Sequence, residues 1–592
     1  MLSFYDYLAI AIYFSLILAA GILLRLQSKN TSDYFRAAGV IPWWITGAAL
    51  FMNFSAWTFT GAAGEVFTQG TWVLALYFSN SLAFTTLLFL SARRFRRLRA
   101  ITWMEAVNQR FGRGTQQFYT WVKIPLLLAM GGIVLFAVAV FMSSIFHVSI
   151  AATLITCGVL VTLVSYFGGA WAVAVNDFIQ MILVLCITTV AAFLAVHQPA
   201  VGGIAGLIHK VPARYFSWTS QAPLGFIVSW VIAMTLLNIV TANSVENSQK
   251  FLMLRSDRTA RRMVLIPIIG MLIAPVIWII PSLSAVATHM NLHAEFPHLQ
   301  HPSEGAYVAV CLATMPHGMI GLLVSTIFAA TITNLDAVLN QGVGVVVRNF
   351  YLPIMNPNAD EKKLLRISKR LTLVFGAILI AVGIIISYCK LMALFNLTNL
   401  VAGLFILPLS IPMALGFMYL RTPGWSGWST AAVGLVTSVG IYLARHQILN
   451  AMFPLGLSHA EKGDATFFLP IFAMVVVSST WFFTTGLFYK KSDAVQRQSI
   501  EELSHNLATP VTEDKQNTAS HSGPLFRVLG ALATCYGVVI GLFVLIPNSP
   551  AGRLSFAFCA AVMLIIGFLL LRAAKIGSGA GDGTGSRASR LT

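Results

Sequence analysis

The sequence predicts an all-α polytopic membrane protein of about fifteen transmembrane helices, and three observations carry that prediction. Of 592 residues, 57% are hydrophobic and only 10% are charged, far from the quarter-charged make-up of soluble domains. Apolar runs of roughly 20 residues, the length that takes a helix across a ~30 Å hydrocarbon core, recur along nearly the whole chain. The basic residues gather on alternate connections between those runs. That is the signature of a threaded membrane protein rather than of a nucleic-acid binder, despite a net charge of +18.

In chain order the runs lie near 4–25, 43–66, 71–91, 118–144, 148–168, 171–196, 223–247, 263–289, 317–346, 371–390, 391–420, 425–445, 467–489, 525–546 and 553–572. The first is not a cleaved signal peptide: it lacks a basic leading region, bears Asp6 early and is closed by Arg25. With the N-terminus outside, "RLQSKNTSDYFR", "ARRFRRLR", "QKFLMLRSDRTARR", "EKKLLRISKR", "YKKSDAVQR" and the tail fall on one face and collect about thirty of the 38 Lys and Arg. That face is cytoplasmic by the positive-inside rule. The expected location is the plasma membrane, or the inner membrane of a prokaryote, among membrane lipid and with the C-terminus cytoplasmic.

Several function classes drop out. No Walker A sequence occurs, and no soluble block is large enough to hydrolyse a nucleotide. Pumping would therefore draw on an ion gradient, and neither enzyme activity, nor a nucleic acid, nor an obligate protein partner is expected. The six cysteines lie within predicted spans without a CxxC pair and read as small packing residues. His289, His293, His298 and His301 crowd an outer loop at irregular spacing, which suits a solvated loop better than a metal site. Glu65 and Glu246 read as water-facing or snorkelling carboxylates, with gating as the alternative.

Two hydrophobic runs are interrupted by small and polar residues, "ALFMNFSAWTFTGAAGEVF" in the second and "TLLNIVTANSVENSQKF" in the seventh, five segments later. Paired interruptions in two five-helix halves point to an inverted-repeat transporter with its site at the bilayer midplane. The expected division is an extra helix and inner loop (1–42), a first repeat (43–196), an outer loop (197–222) and a second repeat (223–420). Peripheral helices (421–490), a flexible cytoplasmic linker (491–523), a final helix pair (524–573) and a disordered tail (574–592) follow. "GSGAGDGTGSRASRLT" in that tail follows a span and precedes no helix, so it is not a dinucleotide loop.

The chemistry concentrates in the ninth run, "FAATITNLDAVLN". On a helix Ala330, Thr333, Asn334 and Ala337 share a face, with Asp336 beside it. Such oxygens either glue membrane helices together or hold a hard cation. The second run favours the cation, because a helix broken at "MNFSAWTFTG" exposes carbonyls that need a partner away from water. For a solute, the natural lining is Asn53, Ser55, Trp57 and Thr58 in the break, Tyr77 on the third run, and Asn238, Thr241 and Asn243 on the seventh. Amides and hydroxyls beside aromatics suit a small polar organic solute, sugar-like or related.

"SDYFRAAGVIPWWITGAALFMNFSAWTFTGAAG", "SYFGGAWAVAVNDFIQMILVL", "MPHGMIGLLVSTIFAATITNLDAVLN" and "VVVRNFYLPIM" before "ADEKKLLRISKR" resemble, in order, motifs of the sodium:solute symporter family. The resemblance implies a LeuT-like 5+5 fold with extra terminal helices and Na+ as coupling ion. It implies Na+ ligation by the carbonyls of Phe51, Phe54 and Ala330 and the side chains of Thr333 and Asn334. Asn334 departs from the usual Ser or Thr, bringing an NH2 group that a cation repels. A second ion site of some members maps onto Asp177, Asp336 and Ala337, so a second cation or a proton is expected at Asp177 and Asp336. The alternative is that Asp177 is solvated or paired with a basic loop residue. Thr58 and Tyr77 stand where sugar carriers of the family can have Gln and Glu, which does not support a galactose-type site. The resulting expectation is cation-coupled symport by alternating access. A proton-coupled or uncoupled carrier and a transporter-like membrane sensor stay open as alternatives.

Overall fold

The computed structural model describes residues 2–25, 42–52, 54–100, 102–167, 170–218, 223–389, 392–452, 458–512 and 518–582, and among them there is helix and no strand. Asn53 lies outside the described residues. Twelve helices are long and apolar enough to cross a bilayer, and two shorter apolar stretches, Phe4–Leu16 and Ile150–Tyr166, accompany them.

The chain opens with α1 (Phe4–Arg25), followed by a broken helix, α2 (Trp43–Phe51) and α3 (Gly61–Gln69). The chain continues with α4 (Leu74–Leu90), a short helix α5 (Trp103–Phe111), α6 (Arg113–Phe146), α7 (Ile150–Phe167) and α8 (Ala170–Val196). Next come α9 (Leu224–Ala242), α10 (Asp257–Trp278), α11 (Met319–Val346), α12 (Glu361–Tyr388), α13 (Leu394–Val401) and α14 (Leu407–Met418). Beyond them come α15 (Ser426–Met452), α16 (His459–Thr485), α17 (Ala494–Ala508), α18 (Thr518–Leu542) and α19 (Pro550–Asp582).

Helices α2 and α3 have nine residues each, about 14 Å of rise apiece, so neither half alone crosses the ~30 Å core. Together they do, and the join between them falls within the membrane. The other interrupted run behaves differently. Helix α9 is continuous from Leu224 to Ala242 and stops at Asn243, where a short turn, Val245–Ser248, begins.

Helix α11 is the axis of the core, buried without interruption from Met319 to Ile332. It packs against α1, α6, α7, α8 and α12. Its N-terminus is capped from a distant part of the chain, since Asp6 Oδ1 accepts the N–H groups of Gly318 at 2.8 Å and Gly321 at 3.1 Å. An acid there satisfies two of the four N–H groups a helix start leaves open and complements its dipole. Gly321 is required by the approach, because a Cβ at that position would lie 2.2 Å from the Asp6 carbonyl oxygen.

Two expectations are corrected. The stretch 491–523 is not a flexible linker throughout: α17 docks on α5 and the segment before it, with Ser499 Oγ donating to Gln109 O at 2.9 Å and Arg97 Nη1 to Leu507 O at 2.9 Å. Its Ile500 and Leu503 are buried, an amphipathic pattern hidden in a polar composition. The tail is not disordered from residue 574, because α19 runs on to Asp582.

Candidate functional site

The break between α2 and α3 frees backbone groups inside the membrane, and α11 supplies their partners. Thr331 Oγ1 donates to Ile327 O at 2.8 Å and accepts the Ala56 N–H at 3.0 Å. One hydroxyl thus serves its own helix and the break at once. Asn334 Nδ2 donates to Phe54 O at 2.6 Å. Ser55, at the start of the 3-10 turn Ala56–Phe59, accepts the Trp57 N–H at 3.3 Å. The last carbonyls of α2, Phe51 among them, lie beyond the reach of intrahelical donors. Of the sequence-predicted cation ligands, Asn334 of α11 and the Phe54 carbonyl in the break are therefore brought together.

Thr333 points elsewhere from Thr331, donating to Gln180 Oε1 on α8 at 3.2 Å. Gln180 is fully buried and sits one turn from Asp177, itself 5% exposed. Asp177 has Lys250, Asp336 and Thr333 as electrostatic neighbours. Asp336 faces Ser165 and Asn340. Asp177 Oδ1, Asp336 Oδ1 and Gln180 Nε2 have no hydrogen-bond partner among the described residues. Asp177 is thus buried in this structure, with Lys250 as its basic neighbour. Lys250 also donates from Nζ to Ala49 O near the end of α2 at the break. Burial lowers the Lys250 ammonium pKa, and the charge of Asp177 opposes that shift.

The proposed solute lining divides in two. Trp57 stacks on Phe395 with ring centroids 5.8 Å apart, and its Nε1 donates to Leu394 O at 3.3 Å. Thr58 and Tyr77 are buried beside one another, and the Tyr77 hydroxyl has no partner among the described residues. These groups lie on the α3 side of the break and beside it on α4. The residues of α9 do not join them as free donors. Asn238 Nδ2 is bonded to Ser79 Oγ at 2.7 Å, and Thr241 Oγ1 to Leu237 O at 2.8 Å. Asn243 donates to Thr86 Oγ1 at 2.9 Å and accepts from Ser91 Oγ at 2.6 Å. The α9 amides fasten that helix to α4.

Outside the Trp57 and Phe395 stack lies a cavity of about 640 Å³, walled by Trp72, Trp230, Phe395 and Phe467, with Glu65 and Asp464 among its polar groups. Glu65 faces this cavity rather than open water or a headgroup. Below it Glu304, 4% exposed, accepts the Leu394 N–H at 2.8 Å and ties the start of α13 to the outer connection. Glu246 is ion-paired with Lys123 at 2.6 Å, a partner the sequence does not reveal. The described cysteines are all free, with Cys389 and Cys535 exposed, and no His, Cys, Asp and Glu group able to hold a metal occurs among the described residues. Sequence reasoning missed Thr331, Gln180 and Lys250 as members of the cluster. Gln180 carried a signal, lying three residues from Asp177 on one helix face.

The model of the sodium:solute symporter family matches residues 34–423. The sodium/sialic acid symporter NanT of Aliivibrio fischeri is 22% identical over 540 residues, covering 87% of this chain and 98% of that protein. The sodium/glucose cotransporter of Vibrio parahaemolyticus is 22% identical over 512 residues, covering 81% and 90%. Among solved structures, a Na+-coupled sialic acid symporter in a substrate-bound outward-open state aligns with a TM-score of 0.61 at 16% identity, covering 81% of this chain and 98% of that one.

Proposed function

The chain belongs to the sodium:solute symporter family, a multi-pass secondary active carrier with Na+ as coupling ion, and from that premise we propose that the ion is held between the α2 break and α11. Its ligands are the carbonyls of Phe51, Phe54 and Ala330 with Thr333 and Asn334. The observation that supports this most directly is the hydrogen bond from Asn334 to Phe54 O. It puts an amide of α11 in contact with a carbonyl of the break. Turning that amide about its last torsion replaces the donor by Oδ1 and leaves two oxygens facing one another, an arrangement a cation satisfies.

The solute is a small polar organic molecule, sugar-like or related, bound on the outer side of the break by Ser55, Trp57, Thr58 and Tyr77, and no covalent chemistry is involved. It reaches them through the outer cavity. The relatives' solutes, sialic acid and glucose by name, fall in this chemical class. The arginine-rich face is cytoplasmic, with the N-terminus outside. Inward flow of one Na+ down ~100 mV yields about 2.3 kcal/mol, and a tenfold gradient adds about 1.4 kcal/mol. The sum supports accumulation of several hundredfold.

The test is solute uptake by purified protein in liposomes with sodium and proton gradients imposed separately. Uptake that follows sodium alone is expected. Uptake indifferent to sodium and driven by protons would move the coupling ion to Asp177 and Asp336, whose unpartnered oxygens favour that second reading.

A further inference from the structure

We infer that the protein binds an anionic phospholipid at a four-arginine groove between α4 and α10. The groove, about 480 Å³, is lined by Arg93, Arg258, Arg261 and Arg262 above Leu88 and Leu265. Its one acid, Asp257, is already taken by Arg97, with Nε to Oδ2 at 2.7 Å. Arg93, Arg258 and Arg262 have no hydrogen bond or ion pair with any described residue, while Arg261 lies over the Phe89 ring at 5.9 Å.

Several other cations of the same face are engaged. Lys123 pairs with Glu246, Arg94 donates to Phe417 O, and Arg110 is fully buried on Gly416 O and Thr422. Unpaired arginines around one groove hold excess positive charge that an anion neutralises, and guanidinium forks match phosphate oxygens.

The second feature makes the anion a lipid. From the groove an apolar stripe descends along the packed pair α4 and α10, through Phe89 at 68% exposed and Leu265, Ile269 and Leu272. A soluble phosphate would cover the arginines and leave that stripe bare. A phospholipid covers both, with its phosphate among the arginines and its acyl chains along the stripe, where basic pockets at the cytoplasmic membrane surface favour acidic headgroups.

The site also has mechanical reach. Helix α10 packs on α2, and the Phe51 ring rests against Gly270, so a lipid clamping α4 to α10 braces the helix that ends at the break. The inference rests on the membrane reading and not on the ion or solute assignment.

The full-length protein in neutral detergent is titrated with phosphatidylglycerol, with phosphatidylcholine of the same chains and with glycerol phosphate, and lipid affinity is read from the thermal shift. Phosphatidylglycerol is expected to stabilise, and the other two are not. Arg258→Gln with Arg262→Gln should weaken phosphatidylglycerol binding by about thirtyfold, about fivefold for each arginine. Lys362→Gln with Arg366→Gln, exposed cations of α12 outside the groove, should leave it unchanged. Equal weakening in both double variants would make the effect one of general surface charge and overturn the site. An equal response to glycerol phosphate would make the ligand a soluble anion, and no response to phosphatidylglycerol would remove the ligand altogether.

Discussion

The two interrupted runs, at the α2 and α3 join and at the end of α9, have similar compositions of small and polar residues and are used in opposite ways. At the first, the freed backbone is served by a different helix, with Thr331 and Asn334 reaching across from α11. At the second, the polar side chains serve the end of their own helix and its neighbour α4. Asn243 Nδ2 bonds Ile239 O at 2.9 Å, and Asn247 Nδ2 bonds Thr241 O at 2.7 Å. The difference teaches that a broken helix becomes a binding place when its open backbone groups are answered by groups that can also answer a ligand. A terminus that satisfies itself is structure only.

Four substitutions sharpen or break this contrast. The largest effect is expected for Thr331→Val, which keeps the shape and removes the hydroxyl. The Ala56 N–H is then buried without an acceptor, at a loss of about 2 kcal/mol. A fall in the melting temperature together with loss of uptake is expected; a variant as stable and active as the parent would mean that the break does not depend on α11. Next comes Thr333→Ala, which should raise the sodium concentration for half-maximal uptake by about tenfold, or 1.4 kcal/mol. An unchanged sodium dependence would show that the ion lies elsewhere.

Asn243→Ala tests the other region. It removes bonds between α9 and α4 at the end of a span, so stability should drop by about 1 kcal/mol while the sodium requirement of folded protein stays constant. A changed sodium requirement would erase the distinction between the two interruptions.

How far the sequence reveals all this depends on which physical signal each part emits. Helices were legible because crossing a bilayer demands long apolar runs, and the break because small and polar residues interrupt one. Phe54 and Asn334 could be paired only through the family resemblance, since they lie far apart in the chain. The protein partners of the α9 amides were not legible, because an amide reads the same whether it faces a solute or fastens two helices. Asn238 differs from a solute ligand only by having Ser79 opposite it, which is a fact of packing. The helix α17 was hidden for a related reason: two buried positions, Ile500 and Leu503, are too few to stand out in a polar stretch. Lys250 was read as one more inner-loop cation because nothing in its local sequence signals burial.

The smallest effect, and the most informative about the ion, belongs to Asn334→Ser. In the structure its amide acts as a donor, filling Phe54 O with an N–H where an ion ligand would present oxygen. Sodium binding therefore has to break that bond and turn the amide before Oδ1 can serve. A serine hydroxyl is shorter and can offer its lone pairs by rotating a single proton, so the competing contact is weakened while an oxygen is kept. The balance between losing a neutral hydrogen bond and gaining a ready ligand is small, about 0.7 kcal/mol, or roughly a threefold lower sodium requirement. Sodium titration of uptake in liposomes, beside Asn334→Ala, separates the two contributions. Alanine frees Phe54 O but supplies no oxygen, so it should need more sodium than serine. If alanine and serine behave alike, Asn334 acts only as the latch that holds the break to α11, and the cation is ligated without it.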